Sequence, residues 1–252
     1  MTAHSEIETA ANGDTRDRQC ETHGAYPQTF ISREPGRGFW MGRCEPCHAE
    51  RQAESERRQR LQTIWELHGA AQIPERYRHA RFGNCAPTTA LQRAAMKTCR
   101  EYVDGADDNI AQGVCLTLVG PPGTGKTYLL CAIAHALIEE RVQRVRYASM
   151  ADLLATVKGC WAWHGDSDAA QCFVRARVLL LDEVWMPTDE RARESMMTVL
   201  DVRYRQRFPT LIATNLTAQQ LTDAFGERFV DRLREGGRVL PLDGKSMRSA
   251  CT

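Results

Sequence analysis

From residue 114 onward, apolar positions gather in short unbroken runs, separated by longer stretches of helical character. Val114–Val119, Val145–Ser149, Arg177–Glu183 and Pro209–Asn215 are the runs. The first, third and fourth read as strands buried in a parallel sheet, and Val145–Ser149 as a further strand. Tyr128–Glu140, Met150–Val157 and Thr188–Arg207 are the intervening helical stretches, with Thr188 as the N-cap of the last, and Ala90–Asp104 is a further helix ahead of the first run. Upstream the pattern changes. From Ala49 to about His68 the chain is highly charged and free of Gly and Pro, and Leu61, Ile64, Trp65 and His68 fall on one helical face. Gly69 and Pro74 should end that helix. Residues 1–19 are polar and aperiodic, which predicts a disordered arm. The expected organisation is an arm (1–19), a small module (20–48), a charged linker helix (49–73) and an α/β domain (74–252).

Between the first run and its helix lies Gly120-Pro121-Pro122-Gly123-Thr124-Gly125-Lys126-Thr127, which fits G-x-x-x-x-G-K-[ST]. Glycines at this spacing let the backbone turn tightly and aim several N–H groups at a triphosphate. Lys126 adds a point charge at the outer phosphates and Thr127 a hydroxyl for Mg²⁺. The dipole of the following helix favours the same anion. This is a nucleotide site.

The third run supplies the rest of a hydrolytic centre. Leu179-Leu180-Leu181-Asp182-Glu183 carries two acids to the end of a buried strand, where α/β sheets place their ligands. Asp182 is placed to hold Mg²⁺, and Glu183 to orient and deprotonate water. Asn215, ending the fourth run, can reach between the γ-phosphate and that water.

Ten cysteines are present, seven of them scattered without a pairing pattern. The other three are Cys20, three residues before His23, and the Cys44/Cys47 pair that follows a loop of twenty residues. That spacing is that of a closed, structural Cys₃His zinc site. His48 is an alternative fourth ligand. Phe30, Ile31, Phe39 and Trp40 offer only a tiny core, so metal would have to supply the folding energy.

Bulk properties narrow the class without naming a partner. At 252 residues the chain can hold one α/β domain and a small appendage. Net charge is +1, although residues 57–81 carry six Arg against two Glu. No run approaches the ~20 apolar residues of a membrane span, and the N-terminus lacks an apolar signal core, so a cytoplasmic protein with no membrane contact is expected.

Gly120–Thr127, Leu179–Glu183 and Thr210–Asn215, with Phe225–Leu233 and Leu240–Arg248 in the tail and Ile73–Phe82 ahead, together resemble the AAA+ ATPases. Within them the set is similar to the DnaC/IstB branch of helicase loaders and transposition helpers. The resemblance implies a P-loop AAA+ parallel sheet sandwiched by helices. Only 37 residues follow Asn215, which matches a branch without the full C-terminal lid. It makes Asn215 the sensor 1 residue, and Arg232 the arginine finger, with Arg228 as second choice. Gly244-x-Ser246-x-Arg248 makes Arg248 the sensor 2 candidate, although Met247 stands where an aromatic residue is commoner. A finger acting in trans implies self-association and is worth roughly 10³–10⁵ in rate. The motifs themselves call for ATP, Mg²⁺ and Zn²⁺ as cofactors, and the branch implies a replicative hexameric helicase and single-stranded DNA as partners. The alternative is an IstB-like ATPase helper of a DNA transposase; a zinc-dependent adaptor with a vestigial ATPase is a third.

Overall fold

Two compact units, residues 1–62 and 63–252, divide the computed structural model, which describes residues 11–34, 37–161, 168–187, 189–235 and 237–244. In the first, β1 (Thr15–Cys20), β2 (Gly24–Glu34) and β3 (Arg37–Met41) form an antiparallel sheet in that order. Strand β1 thus begins inside the stretch expected to be a disordered arm. Its own pattern is weak, but pairing along β2 from Thr15↔Thr29 to Cys20↔Gly24 supplies backbone partners, and the Arg16 guanidinium lies 4.4 Å over the Trp40 ring. Pro27 is tolerated in the middle strand because β3 pairs with β2 only from Thr29 onward. The edge-on Phe30–Trp40 pair, 5.3 Å between centroids, is the small core.

Helix α1 (Glu45–Ala71) starts earlier than its apolar pattern indicates and runs through Gly69. Its buried face is also rotated from the expected one. Leu67 and Ala71 are buried with Ile64 packed beside them, while Leu61 and Trp65 remain 56% and 72% exposed. Burial of the last turns outweighs the roughly 1 kcal/mol that glycine costs a helix interior.

In residues 63–252, α2 (Ala90–Asp104) and α3 (Ala106–Gln112) precede β4 (Cys115–Val119), α4 (Lys126–Glu139), β5 (Val145–Ser149), α5 (Met150–Trp161) and α6 (Asp168–Val174). Then come β6 (Val178–Val184), α7 (Glu190–Arg205), β7 (Thr210–Thr214), α8 (Ala218–Phe225), α9 (Glu227–Glu235) and β8 (Gly237–Pro241). The N-cap of α7 is Asp189, which accepts from Ala192 N at 2.7 Å; Thr188 lies outside the described residues.

The five strands form one parallel sheet ordered β5-β6-β7-β4-β8. Alternate residues of each apolar run face opposite layers, as a pleat with period two requires. Leu180, Leu211 and Ala213 join a core with α2, α3 and α4, whereas Leu179, Leu181 and Ile212 join the core of α5–α9. One polar group deep in the second layer is fully buried Arg203, whose guanidinium donates to the carbonyls of Phe173, Val174, Ala176 and Pro209 and to Thr210 Oγ1. Those donors tie the end of α6 to the start of β7. Strand order reverses beside β4, and there the ligand crevice of an open α/β sheet forms.

Candidate functional site

The loop Gly120–Thr127 joins the end of β4 to α4, and its second half lines a crevice of about 1330 Å³ at the carboxyl ends of the strands. Gly120 is required by close approach: a Cβ there would lie 2.1 Å from the Leu242 carbonyl oxygen. Leu242 N in turn donates to Val119 O at 2.7 Å, so the segment after β8 is laced along the loop. Gly123 and Gly125 have positive φ of 84° and 97°, which turns the chain into the N-terminus of α4. Lys126 is buried, its Nζ donating to Gly120 O and Pro121 O at 2.7 Å each. Thr124 Oγ1 donates to Pro121 O at 2.9 Å. The loop is held by its own polar groups, with Thr127 half-buried on the first turn of the helix.

Asp182, Glu183 and Asn215 line the same crevice from β6 and β7. Asp182 is 3% exposed, and its Oδ2 accepts from the Tyr147 hydroxyl at 2.7 Å while its Oδ1 accepts from Glu183 N at 2.8 Å. Burial, reinforced by the Asp182 charge, pushes the Tyr147 pKa far up, so Tyr147 stays a donor. Tyr147 carries no sequence signal of its role, because it reads as one more apolar residue of a buried strand.

Glu183 sits at φ +52°, where the β6–β7 register shifts between Leu181 and Val184. A left-handed residue in a bulge re-aims its side chain, here outward, so Glu183 is exposed beside a buried Asp182. The shift is stabilised by Thr214, whose Oγ1 donates to Val184 O at 2.7 Å and accepts from Leu216 N at 3.0 Å.

Of the candidate arginines, Arg232 lies on α9, ion-paired with Asp201 of α7 and 4.8 Å over the Tyr204 ring. Arg228, one turn earlier, is exposed. Neither lines the crevice. Arg248 lies outside the described residues, but Gly244, which opens its motif, reaches the crevice rim.

Behind the loop, His135 of α4 is buried and its Nε2 lies 3.0 Å from Tyr77 O. Glu139, one turn on, accepts from Arg81 and meets His68 Nε2 at 3.1 Å. These contacts seat the end of α1 and the Tyr77–Arg81 segment, which also borders the crevice, against α4.

In residues 1–62, Cys20, His23, Cys44 and Cys47 converge as a group that could hold a metal. Cys20 Sγ and Cys47 Sγ are 3.5 Å apart, and His23 Nδ1 lies 3.2 Å from Cys47 Sγ and 3.6 Å from Cys44 Sγ. A tetrahedron with Zn–S bonds of about 2.3 Å has edges of roughly 3.8 Å, so these ligand atoms already stand close to zinc geometry. His23 Nε2 meets Glu50 Oε1 at 3.3 Å, the carboxylate partner that orients a metal-ligating histidine. Backbone N–H groups of Thr22 and His23 draw the Cys20 thiol down to about 6, while contact with Cys20 pushes the Cys47 thiol up to about 11, so one proton is shared between the two sulfurs. His48 turns away, its Nε2 2.7 Å from Arg43.

Comparison with known proteins agrees with this geometry. Replicative helicase loader DnaC of Escherichia coli (strain K12) is 28% identical over 194 residues, covering 76% of this chain and 78% of DnaC. A crystal structure of the DnaC helicase loader superposes with a TM-score of 0.63 at 26% identity, over 68% of this chain and all of that one. DnaI, at 21% identity and a TM-score of 0.58 over 69% of this chain and 94% of its own, shares the fold. The family description "IstB-like ATP binding protein" matches residues 79–251. The matched span holds the phosphate loop, the acidic strand and the β7 amide on one AAA+ sheet, and the chain belongs to the IstB-like ATP-binding family of AAA+ ATPases.

Proposed function

We propose that this chain is a replicative helicase loader that uses ATP to assemble on single-stranded DNA and deliver a hexameric helicase to it. The observation that carries the reading is one crevice shared by the phosphate loop, Asp182, Glu183 and Asn215, in a chain that matches DnaC over three-quarters of its length.

Backbone N–H groups of Gly123–Thr127 and the Lys126 ammonium hold the outer phosphates. Thr127 and Asp182 fit a magnesium ion, which when bound would neutralise phosphate charge; the Tyr147 hydroxyl and Glu183 N–H fix the Asp182 carboxylate in place for it. Glu183 orients the attacking water and takes its proton, and Asn215 holds that water in line from the neighbouring strand. Arg232 is the finger offered to a neighbouring subunit, with Arg228 as the alternative, and Arg248 is the sensor in the tail. Cys20, His23, Cys44 and Cys47 hold a structural zinc ion that folds the N-terminal module.

The test is ATP turnover with and without single-stranded DNA, together with capture of a ring helicase from the native host. Glu183→Gln should lower turnover about 10²–10⁴-fold while ATP still binds. Failure to capture the helicase would sink the loader reading. Preference for bent duplex DNA and a transposase would establish the transposition-helper alternative.

A further inference from the structure

We infer that Gln92 is a positioning residue for ATP binding: it sets the direction of a phosphate-loop N–H donor and clamps the loop to the C-terminal segment. The idea rests on the phosphate loop holding ATP. Gln92 is 3% exposed and uses both ends of its amide.

Its Oε1 accepts from Thr88 N at 2.8 Å, Thr89 N at 3.2 Å and Thr88 Oγ1 at 3.0 Å. Gln92 N completes a capping box by donating to Thr89 Oγ1 at 3.1 Å. Up to this point Gln92 is a helix cap. Its Nε2, however, points away from the cap and donates to Thr124 O at 3.3 Å and Asp243 O at 3.1 Å. Thr89 Oγ1 adds a bond to Asp243 Oδ1 at 2.6 Å. One side chain therefore joins the segment before α2, the phosphate loop and the tail after β8.

The bond to Thr124 O has a directional consequence. A trans peptide is planar, so its C=O and the following N–H point in opposite directions. Holding the Thr124 carbonyl toward Gln92 turns Gly125 N–H the other way, off the Gln92 side of the loop. Gly125, at φ +97°, has the soft backbone that would let this peptide flip if it were not held. The bond to Asp243 O similarly holds the approach to Gly244, whose φ of +108° starts the Gly244–Arg248 motif.

Two substitutions separate positioning from capping. Gln92→Glu keeps acceptors for Thr88 and Thr89 but presents oxygen to both carbonyls; Gln92→Met removes both ends. Binding of a fluorescent ATP analogue and of adenosine, which has no phosphate, is measured beside the melting temperature. Both variants should bind the ATP analogue about tenfold more weakly with adenosine affinity unchanged, the worth of one hydrogen bond. Asp243→Ala, which leaves Thr124 held, should change ATP affinity by less than about twofold. Wild-type affinity in Gln92→Glu would overturn the inference and leave Gln92 a helix cap. Equal weakening of ATP and adenosine, or an equal loss in Asp243→Ala, would also overturn it. If Lys126→Ala binds the ATP analogue as well as wild type does, the phosphate-loop reading itself fails, a result distinct from all of these.

Discussion

His135 should make the stability of the nucleotide domain fall as the solution is acidified through the histidine range. The imidazole is 3% exposed on α4, the helix that begins with Lys126. Burial draws its pKa from 6.5 down to about 4; Arg81 and His68 add repulsion, while the Tyr77 carbonyl and Glu139 act the other way. A base whose pKa is depressed in the folded state prefers to be neutral there, so protons bind the unfolded chain more readily. The stabilisation is therefore complete above about pH 6.5 and is lost as pH falls toward 4. At about 1.4 kcal/mol per decade, the loss between pH 7.5 and pH 5 is on the order of 2 kcal/mol. Other groups titrate in that interval, Cys20 with its thiol drawn down to about 6 among them, so the comparison must be with His135→Gln. Glutamine can still donate to Tyr77 O but does not titrate. Urea denaturation followed by circular dichroism at pH 7.5, 6.5, 5.5 and 5 gives the two stability curves. They should diverge, with the wild type losing about 2 kcal/mol more than the variant by pH 5. Parallel curves, within about 0.5 kcal/mol, would mean that the folded protein accommodates a charged His135, and the burial argument would be wrong.

Three more outcomes test other parts of the chain. Glu50→Gln should weaken zinc binding about tenfold, the low end of the usual range for an outer carboxylate because Glu50 is largely exposed, as measured by competition with a chromophoric chelator; Cys44→Ser protein should lose stoichiometric zinc by elemental analysis. Gly69→Ala should stabilise α1 by about 0.4–1 kcal/mol, since Gly69 is helical and an added Cβ would meet nothing within 4 Å; an unchanged or lower melting temperature would contradict this.

How much of this could be read from the residues depends on whether a feature is local. The phosphate loop and four of the five strands of the parallel sheet were legible because each is a contiguous pattern: a glycine spacing, or a short run rich in apolar residues. The bounds of α1 were not. Helix propensity around Gly69 is a weak local preference, and it was overridden by burial of Leu67 and Ala71 in a core built mainly from later elements. Strand β1 escaped for the same reason, since its partners are supplied by β2 and by Trp40. The capping box Thr89-x-x-Gln92 was visible in principle as a helix start, but its second use was not, because Asp243 lies 151 residues away.

The site divides along the same line, and the division bears on mechanism. Asp182 and Glu183 are adjacent in sequence and chemically alike, so pattern alone can assign their roles only by analogy. The structure gives a physical reason for them to differ. An ordinary strand would send the two side chains to opposite faces of the sheet, and Glu183 would then be buried among the α5–α9 core with no partner for its charge. The left-handed backbone at Glu183 and the register shift before Val184 avoid that cost. They leave Asp182 dry and doubly hydrogen-bonded, which supports the proposed magnesium-holding role, and Glu183 exposed to water, which supports its proposed role as the base. Thr214 holds the shift open from the next strand. The difference between the two acids therefore resides in a backbone distortion and its supporting hydroxyl, neither of which any residue type in Leu179–Glu183 announces.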